Sequence, residues 1–346
     1  MTYLRLLPLF LLATLAPALS QANSPTLRLL AWPGYADADL VEEFESRHQV
    51  NVEVTLVGSD DVLRKKLAHN QGADYDLIAA NTAEIEYYIG QQLLQPLKPE
   101  RIANTTRQLW RFRDYQKIPG ITASGKVYAI PYTYSDMGLI YDRKQFSSPP
   151  QSITSMWDPQ YRGKVLAFNG SSHNFSLASL ARGRDPFRIA SNDFPQVTEQ
   201  LIALRRNVLT FYSLPEEAAD LFREHSVALL FANYGQQQLK QLRDAGADVG
   251  YVIPREGALA WLDCWAISRG AQDVALAEAW INFSLEAHVS QALTKRQGLS
   301  NTLQESSGSD NPGQLIWLRP VEDDARRAAL WQRILSGERP PLQEAP

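Results

Sequence analysis

The sequence predicts an α/β fold, in which short apolar strands alternate with amphipathic helices around mostly parallel sheets. Three observations lead there. Strand-like and helix-like periods alternate from Leu27 to Ile89, the pattern of successive βαβ units. The chain has 346 residues, which suggests about two domains, each with its own core. It carries one cysteine, Cys264, so an internal disulfide framework is excluded and stability must come from apolar burial.

The first residues read as a targeting segment. Arg5 precedes an apolar run from Leu6 to Ala16, broken by Pro8 and followed by Pro17. Ser20-Gln21-Ala22 then fits the small-x-small pattern that signal peptidase cleaves. A membrane span needs about 20 apolar residues, so residues 1–22 are assigned as a cleavable secretory signal. No cysteine lies near that site, which argues against a lipid anchor. A mature chain starting near Asn23 is expected in the periplasm.

The mature chain opens with the strand Leu27–Ala31 and the loop Trp32-Pro33-Gly34-Tyr35. Leu40, Val41 and Phe44 then line one face of a helix whose glutamates face water. Asn51–Val57 alternates apolar and polar residues, as a strand does. Ser59-Asp60-Asp61 reads as a cap with acids in the first turn of a second helix. Asp76–Ala80 is a strand and Ala83–Ile89 begins a third helix. Parallel sheets bind ligands at the carboxyl ends of their strands. That rule selects Trp32 to Tyr35, and Ala80 to Thr82 with Asn81 at its centre.

The second half repeats this logic without a visible sequence repeat. Met137–Tyr141 and Lys164–Phe168 read as strands, separated by the Pro- and Ser-rich stretch Ser147–Ser155. Asn169 to His173 forms a polar loop opening a helix that carries Phe175, Leu177 and Leu180. Backbone N–H groups at such a helix start suit an anion or a polar ligand tip. Val227–Phe231 and Val249–Ile253 are further apolar strands, and a Pro-rich tail begins at Pro340.

Several function classes are disfavoured. Lys and Arg number 34 against 38 Asp and Glu, and loss of Arg5 leaves the chain slightly more acidic. Both signs are interspersed, so no footprint for nucleic acid exists. The sequence holds no G-x-S-x-G elbow, no H-E-x-x-H and no phosphate-binding glycine loop. Its five histidines are scattered. Cys264 adjoins Asp263, and an acidic neighbour disfavours the thiolate. No catalytic residue, metal or cofactor is assigned, and the chain is not read as an enzyme.

Four blocks carry a family resemblance: Ala31-Trp32-Pro33-Gly34-Tyr35; Tyr75-Asp76-Leu77-Ile78; Trp157-Asp158-Pro159-Gln160-Tyr161-Arg162-Gly163; and Trp261-Leu262-Asp263-Cys264-Trp265-Ala266-Ile267. In order and spacing, from about Leu27 to Thr302, the chain resembles the periplasmic polyamine-binding proteins that serve ABC transporters for spermidine and putrescine. The resemblance implies a two-lobed periplasmic-binding-protein fold with a ligand cleft between the lobes. Lobe one would combine residues 23–132 with 258–302, and lobe two 133–257 with 303–346, joined near Tyr132 and Gly257. It also implies a monomer that hands a small amine-bearing ligand to a membrane permease, or reports it to a membrane receptor.

The same resemblance assigns ligand contacts to Trp32, Tyr35, Trp261 and Asp263. Asp263 is the expected counter-ion, and Trp261 and Trp32 are aromatic walls that attract a cation by roughly 0.5–2 kcal/mol. Phe231 occupies a spot where the family often has Trp, as cleft wall or as core. Departures matter as much. Where the family often has an acid before the Tyr of the first block, this chain has Gly34. Where it often has two acids after the Trp-Asp-Pro block, it has Gly170 and His173, and Leu299 replaces an aromatic. A polyamine with only Asp263 would bury an ammonium without a counter-ion, at a cost of several kcal/mol. The expected ligand is therefore an ω-amino acid such as γ-aminobutyrate or 5-aminovalerate, its carboxylate resting on Ser171, Ser172 and His173. The alternative is a polyamine, with Asp60, Glu216 or Glu217 supplying the missing charge.

Overall fold

The computed structural model describes residues 24–305 and 314–338. The signal assigned to residues 1–22 and the Pro-rich tail lie outside the described residues. The chain opens with β1 (Thr26–Ala31), α1 (Ala38–His48), β2 (Asn51–Leu56), α2 (Asp60–Ala68), β3 (Leu77–Asn81) and α3 (Thr82–Gly90). β1 pairs in parallel with both β2 and β3, so the predicted βαβ alternation is realised. β3 is buried at every position, as the apolar run Leu77 to Ala80 requires of a strand covered on both faces. Ser59 caps α2 through its hydroxyl, and Asn81 caps α3 by accepting from the N–H groups of Ala83 and Glu84.

A short α4 (Trp110–Arg113) and the hairpin β4 (Thr122–Ala123) with β5 (Lys126–Val127) lead into the long β6 (Ala129–Met137). The chain then leaves this sheet and builds a second one. Its elements are β7 (Leu139–Asp142), β8 (Val165–Phe168), α5 (Ser171–Ala181), α6 (Phe194–Asn207), β9 (Val208–Tyr212), α7 (Pro215–Glu224), β10 (Leu229–Phe231), α8 (Gln236–Asp244) and β11 (Val249–Val252). The strand order is β11-β7-β10-β8-β9, with β8 parallel to β9 and β10. β12 (Ala258–Ile267) returns to the first sheet and is followed by α9 (Val274–Ser284), α10 (Ala287–Gln297), β13 (Ser300–Asn301), β14 (Leu315–Trp317) and α11 (Asp324–Ser336).

The first sheet runs β13-β6-β12-β3-β1-β2, with β14 also on β12. One face is covered by a core containing Phe44, Trp265, Trp280 and Phe283, the other by Leu63, Ile85, Tyr88 and Phe112. The second sheet has its own core, including Phe175, Leu201, Leu230 and Trp331. Each sheet is thus packed by its own apolar clusters, two on the first sheet and one on the second, as two lobes need.

Two expectations change here, and one open alternative gains an observation. Met137–Tyr141 is not one strand. Met137 ends β6 in the first sheet and Leu139 starts β7 in the second, so the passage between sheets lies at Gly138 rather than near Tyr132. β6 extends that far because it pairs with β12 up to Met137 and Leu259. The segment after Thr302 is shared, since β14 pairs with Ala258 to Ala260 in the first sheet while α11 packs its Trp331 and Ile334 into the core of the second. Phe231, left open between cleft wall and core, is 1% exposed and packs within the second-sheet core.

Candidate functional site

The parallel strands of both sheets point their carboxyl ends at the seam between the lobes. After β1 comes Trp32-Pro33-Gly34-Tyr35, where the Tyr35 N–H donates to Trp32 O at 3.2 Å. Gly34 has φ 85°, so Pro and Gly occupy the two central positions that a type II turn prefers. A Cβ on Gly34 would lie 2.5 Å from the Gln297 side chain. The acid that the family often places there would sit at a positive φ, and Gln297 would have to move aside. The turn aims Tyr35 inward, where its hydroxyl donates to Asp263 Oδ2 at 2.7 Å.

Asp263 sits on β12, which alternates strictly. Trp261, Asp263 and Trp265 share one face, while Leu262, Cys264 and Ala266 join the opposite core. Trp261 lies in the two-residue gap between the stretch of β12 paired with β14 and the stretch paired with β3. Its indole N–H reaches across the seam to Asn233 O at 3.2 Å. Asp263 is 6% exposed and has no cationic partner among the described residues. Burial pushes its carboxyl up to about 7, and the Tyr35 hydrogen bond offsets only part of that. Burial likewise drives the Cys264 thiol well upward, so this cysteine is inert packing.

Asn81, opposite Asp263 in the sheet register, connects to a second acid. Its Nδ2 donates to Asp60 Oδ1 at 3.2 Å. Asp60 opens α2 just beyond the end of β2 and retains some exposed surface, but protein surrounds its carboxyl. Burial raises that group well above the carboxylate range, and the negative charges of Glu84 and Asp263 raise it further, opposed by Arg64. Tyr234, from the second lobe, lies close enough for the charge of Asp60 to raise its phenol. Trp32 is half-buried, with its indole N–H held by Ala79 O at 3.1 Å.

The helix start expected to hold a ligand carboxylate is served internally. Ser172 Oγ donates to Asp324 Oδ1 at 2.6 Å, and Arg64 Nη1 meets Asp324 Oδ2 at 2.5 Å. Arg64 also grips Glu84 with Nε and Nη2 at 2.6 and 2.5 Å. Arg327, fully buried behind this turn, is bound to Glu322. Ser171 begins α5 and is half-buried. His173 packs edge-on against Phe168 at 5.4 Å, and burial lowers its imidazole to about 4, so it is neutral near pH 7. A Cβ on Gly170 would meet the Phe168 ring at 2.7 Å, which closes that position to an acid.

The structure thus brings Trp32, Tyr35, Asn81, Trp261 and Asp263 into one region, and sets Ser171 and His173 on the facing lobe. Glu216 and Glu217 stay exposed; Glu217 caps its own helix by accepting from Ser213 N. Sequence reasoning left Asp60 as a reserve acid and passed over Asn233. Both lie just beyond the carboxyl ends of parallel strands, β2 and β10, where the strand-end rule would have found them. Two of the four family blocks are structural. Asp76 is held by Arg28 through Nε at 3.0 Å and Nη2 at 2.8 Å, and Trp157 donates to Gln200 O at 2.8 Å.

Comparison with known proteins bears on the family and the fold. Residues 39–314 match the family model described as bacterial extracellular solute-binding protein. The spermidine/putrescine-binding periplasmic protein 1 of Haemophilus influenzae is 25% identical over 81% of this chain and 75% of its own. The putrescine-binding periplasmic protein PotF of Escherichia coli is 24% identical over 92% and 93%. The solved spermidine/putrescine ABC transporter substrate-binding protein PotD of Streptococcus pneumoniae superposes with a TM-score of 0.72 at 18% identity, covering 90% of this chain and 99% of that one. The chain belongs to the bacterial extracellular solute-binding protein family.

Proposed function

We propose that this protein is the periplasmic substrate-binding component of an ABC importer and that its substrate is a polyamine. The observation that carries the reading is Asp263, a buried carboxylate with no cation to neutralise it among the described residues, beside Tyr35 and Trp261. An isolated buried charge is costly, and a protonated amine supplies the missing partner. Trp32 and Trp261 then sheathe the alkyl chain and attract the ammonium through their rings. The names of the relatives from Haemophilus and Escherichia favour the same class.

An ω-amino acid, the ligand first expected, fits less well. Its carboxylate would need a cation or free donors opposite Asp263. Arg64 is bound to Glu84 and Asp324, Ser172 is taken by Asp324, and His173 is neutral. Closure brings a lobe made of residues 24–137 and 258–305 against one made of residues 139–252, and the closed form is what a membrane permease engages.

The test is calorimetric titration of refolded, ligand-stripped protein with putrescine, spermidine, γ-aminobutyrate and 5-aminovalerate. Binding of at least one polyamine, with the amino acids silent, is the expected result. Tight binding of an ω-amino acid alone would overturn the reading.

A further inference from the structure

We infer that Asp60 is a second counter-ion in the cleft, so that the ligand is a short linear diamine held by Asp263 at one ammonium and Asp60 at the other. This rests on the polyamine reading above and narrows it.

Asp60 stands on the first turn of α2, in the half of the molecule that also carries Asp263. Asn81 ties the two acids together: it faces Asp263 across the sheet and donates to Asp60 Oδ1 at 3.2 Å. Both acids therefore lie within one side chain's reach of the same residue, which suits a short linker between two ammonium groups. Neither has an ion-pair partner among the described residues, and Arg64, whose charge acts on Asp60, is committed to Glu84 and Asp324. Both carboxyls are desolvated.

An independent observation comes from the other lobe. Asn233 is 8% exposed, and its Oδ1 is buried without a hydrogen-bond partner among the described residues. A buried acceptor left unpaired is uncommon and points to a donor not in the chain. Asn233 is the residue whose carbonyl receives the Trp261 indole, and its neighbour Tyr234 feels the charge of Asp60. An ammonium has three donors and no acceptor, so it can serve Asp60 and Asn233 Oδ1 together and join the lobes. At Gly34 a side chain would need a positive φ and a shift of Gln297, and at Gly170 it would collide with Phe168. The acids the family often places there are thus replaced by one from α2. Asp60 and Asp263 can each pair with one ammonium, which suits a ligand charge of two; Asp136, a third buried acid without a cation among the described residues, is held instead by the Tyr251 hydroxyl.

The experiment is calorimetry of wild type and Asp60→Asn with putrescine, n-butylamine and spermidine. Removing one partner of a buried charge pair should weaken putrescine by roughly 30-fold or more, while n-butylamine, which needs only Asp263, changes by less than about 3-fold. Wild type should prefer putrescine to spermidine. Loss of neither amine, equal loss of both, or a preference for spermidine would overturn the inference while leaving the polyamine reading intact; failure of every amine on wild type would sink that reading instead. Should Asp60→Asn fail to fold, proton release by wild type decides the matter. Measured in two buffers of different ionisation enthalpy, putrescine should displace more protons than n-butylamine, and equal release would refute the role of Asp60.

Discussion

Replacing Asp263 with asparagine should stabilise the ligand-free protein and abolish its function at the same time. In the folded chain the carboxyl titrates at about 7 because it is buried, against about 3.9 when unfolded. A group whose folded value is raised contributes fully below its unfolded value, and that contribution is lost as pH rises through the folded value. Ionised Asp263 therefore strains the empty protein at pH 8 but not at pH 4. Three units at 1.36 kcal/mol each give about 4 kcal/mol. Asparagine keeps the shape, and its carbonyl can still accept from the Tyr35 hydroxyl. The assay is urea unfolding of both proteins, ligand-free, at several pH values. The mutant should be more stable by a margin that grows from pH 4 to pH 8, while its affinity for a diamine falls by at least about 2 kcal/mol. Equal stability at pH 8, or unchanged affinity, would refute the claim that an unpaired buried carboxylate forms the site.

Other consequences can be checked on the same material. Trp261→Ala should weaken amine binding by about 0.5–2 kcal/mol through loss of the ring face, with the fold retained by circular dichroism. Gly34→Asp restores an acid of the family pattern but places it at φ 85° against Gln297, so thermal unfolding should show a loss of about 1–2 kcal/mol and calorimetry no gain in affinity. Asp76→Ala should cost about 3 kcal/mol in denaturant titration by leaving Arg28 without its partner. Because Arg28 and backbone N–H groups hold the Asp76 carboxyl below its ordinary range, its contribution is present above pH 4 and is lost as pH falls. That makes Asp76 opposite in sign to Asp263, and the variant should flatten the acid limb of the stability curve.

The strand-end rule pointed to Trp32, Tyr35 and Asn81, whereas Trp261 and Asp263 came from the family resemblance. The alternation of β12 puts Trp261 and Asp263 on one face, and the ends of β1 and β3 deliver Tyr35 and Asn81. Asp60 was harder to read, since Ser59-Asp60-Asp61 is also what any well-capped helix start looks like. Asn233 leaves no polar signature beyond its place after an apolar strand. The pairing of Ser172 and Arg64 with Asp324 joins residues far apart in sequence, so the occupied helix start could not be foreseen, and with it went the argument for a ligand carboxylate. The passage at Gly138 was hidden for a related reason: the apolar run from Met137 to Tyr141 is continuous in composition but changes sheets in space.

The most direct measurement is a crystal structure of the protein grown with putrescine. One ammonium should lie about 2.8 Å from Asp263 and the other at a similar distance from Asp60 and Asn233 Oδ1. Density for the diamine elsewhere, or an Asp60 carboxylate turned to solvent beside a bound ligand, would contradict the account.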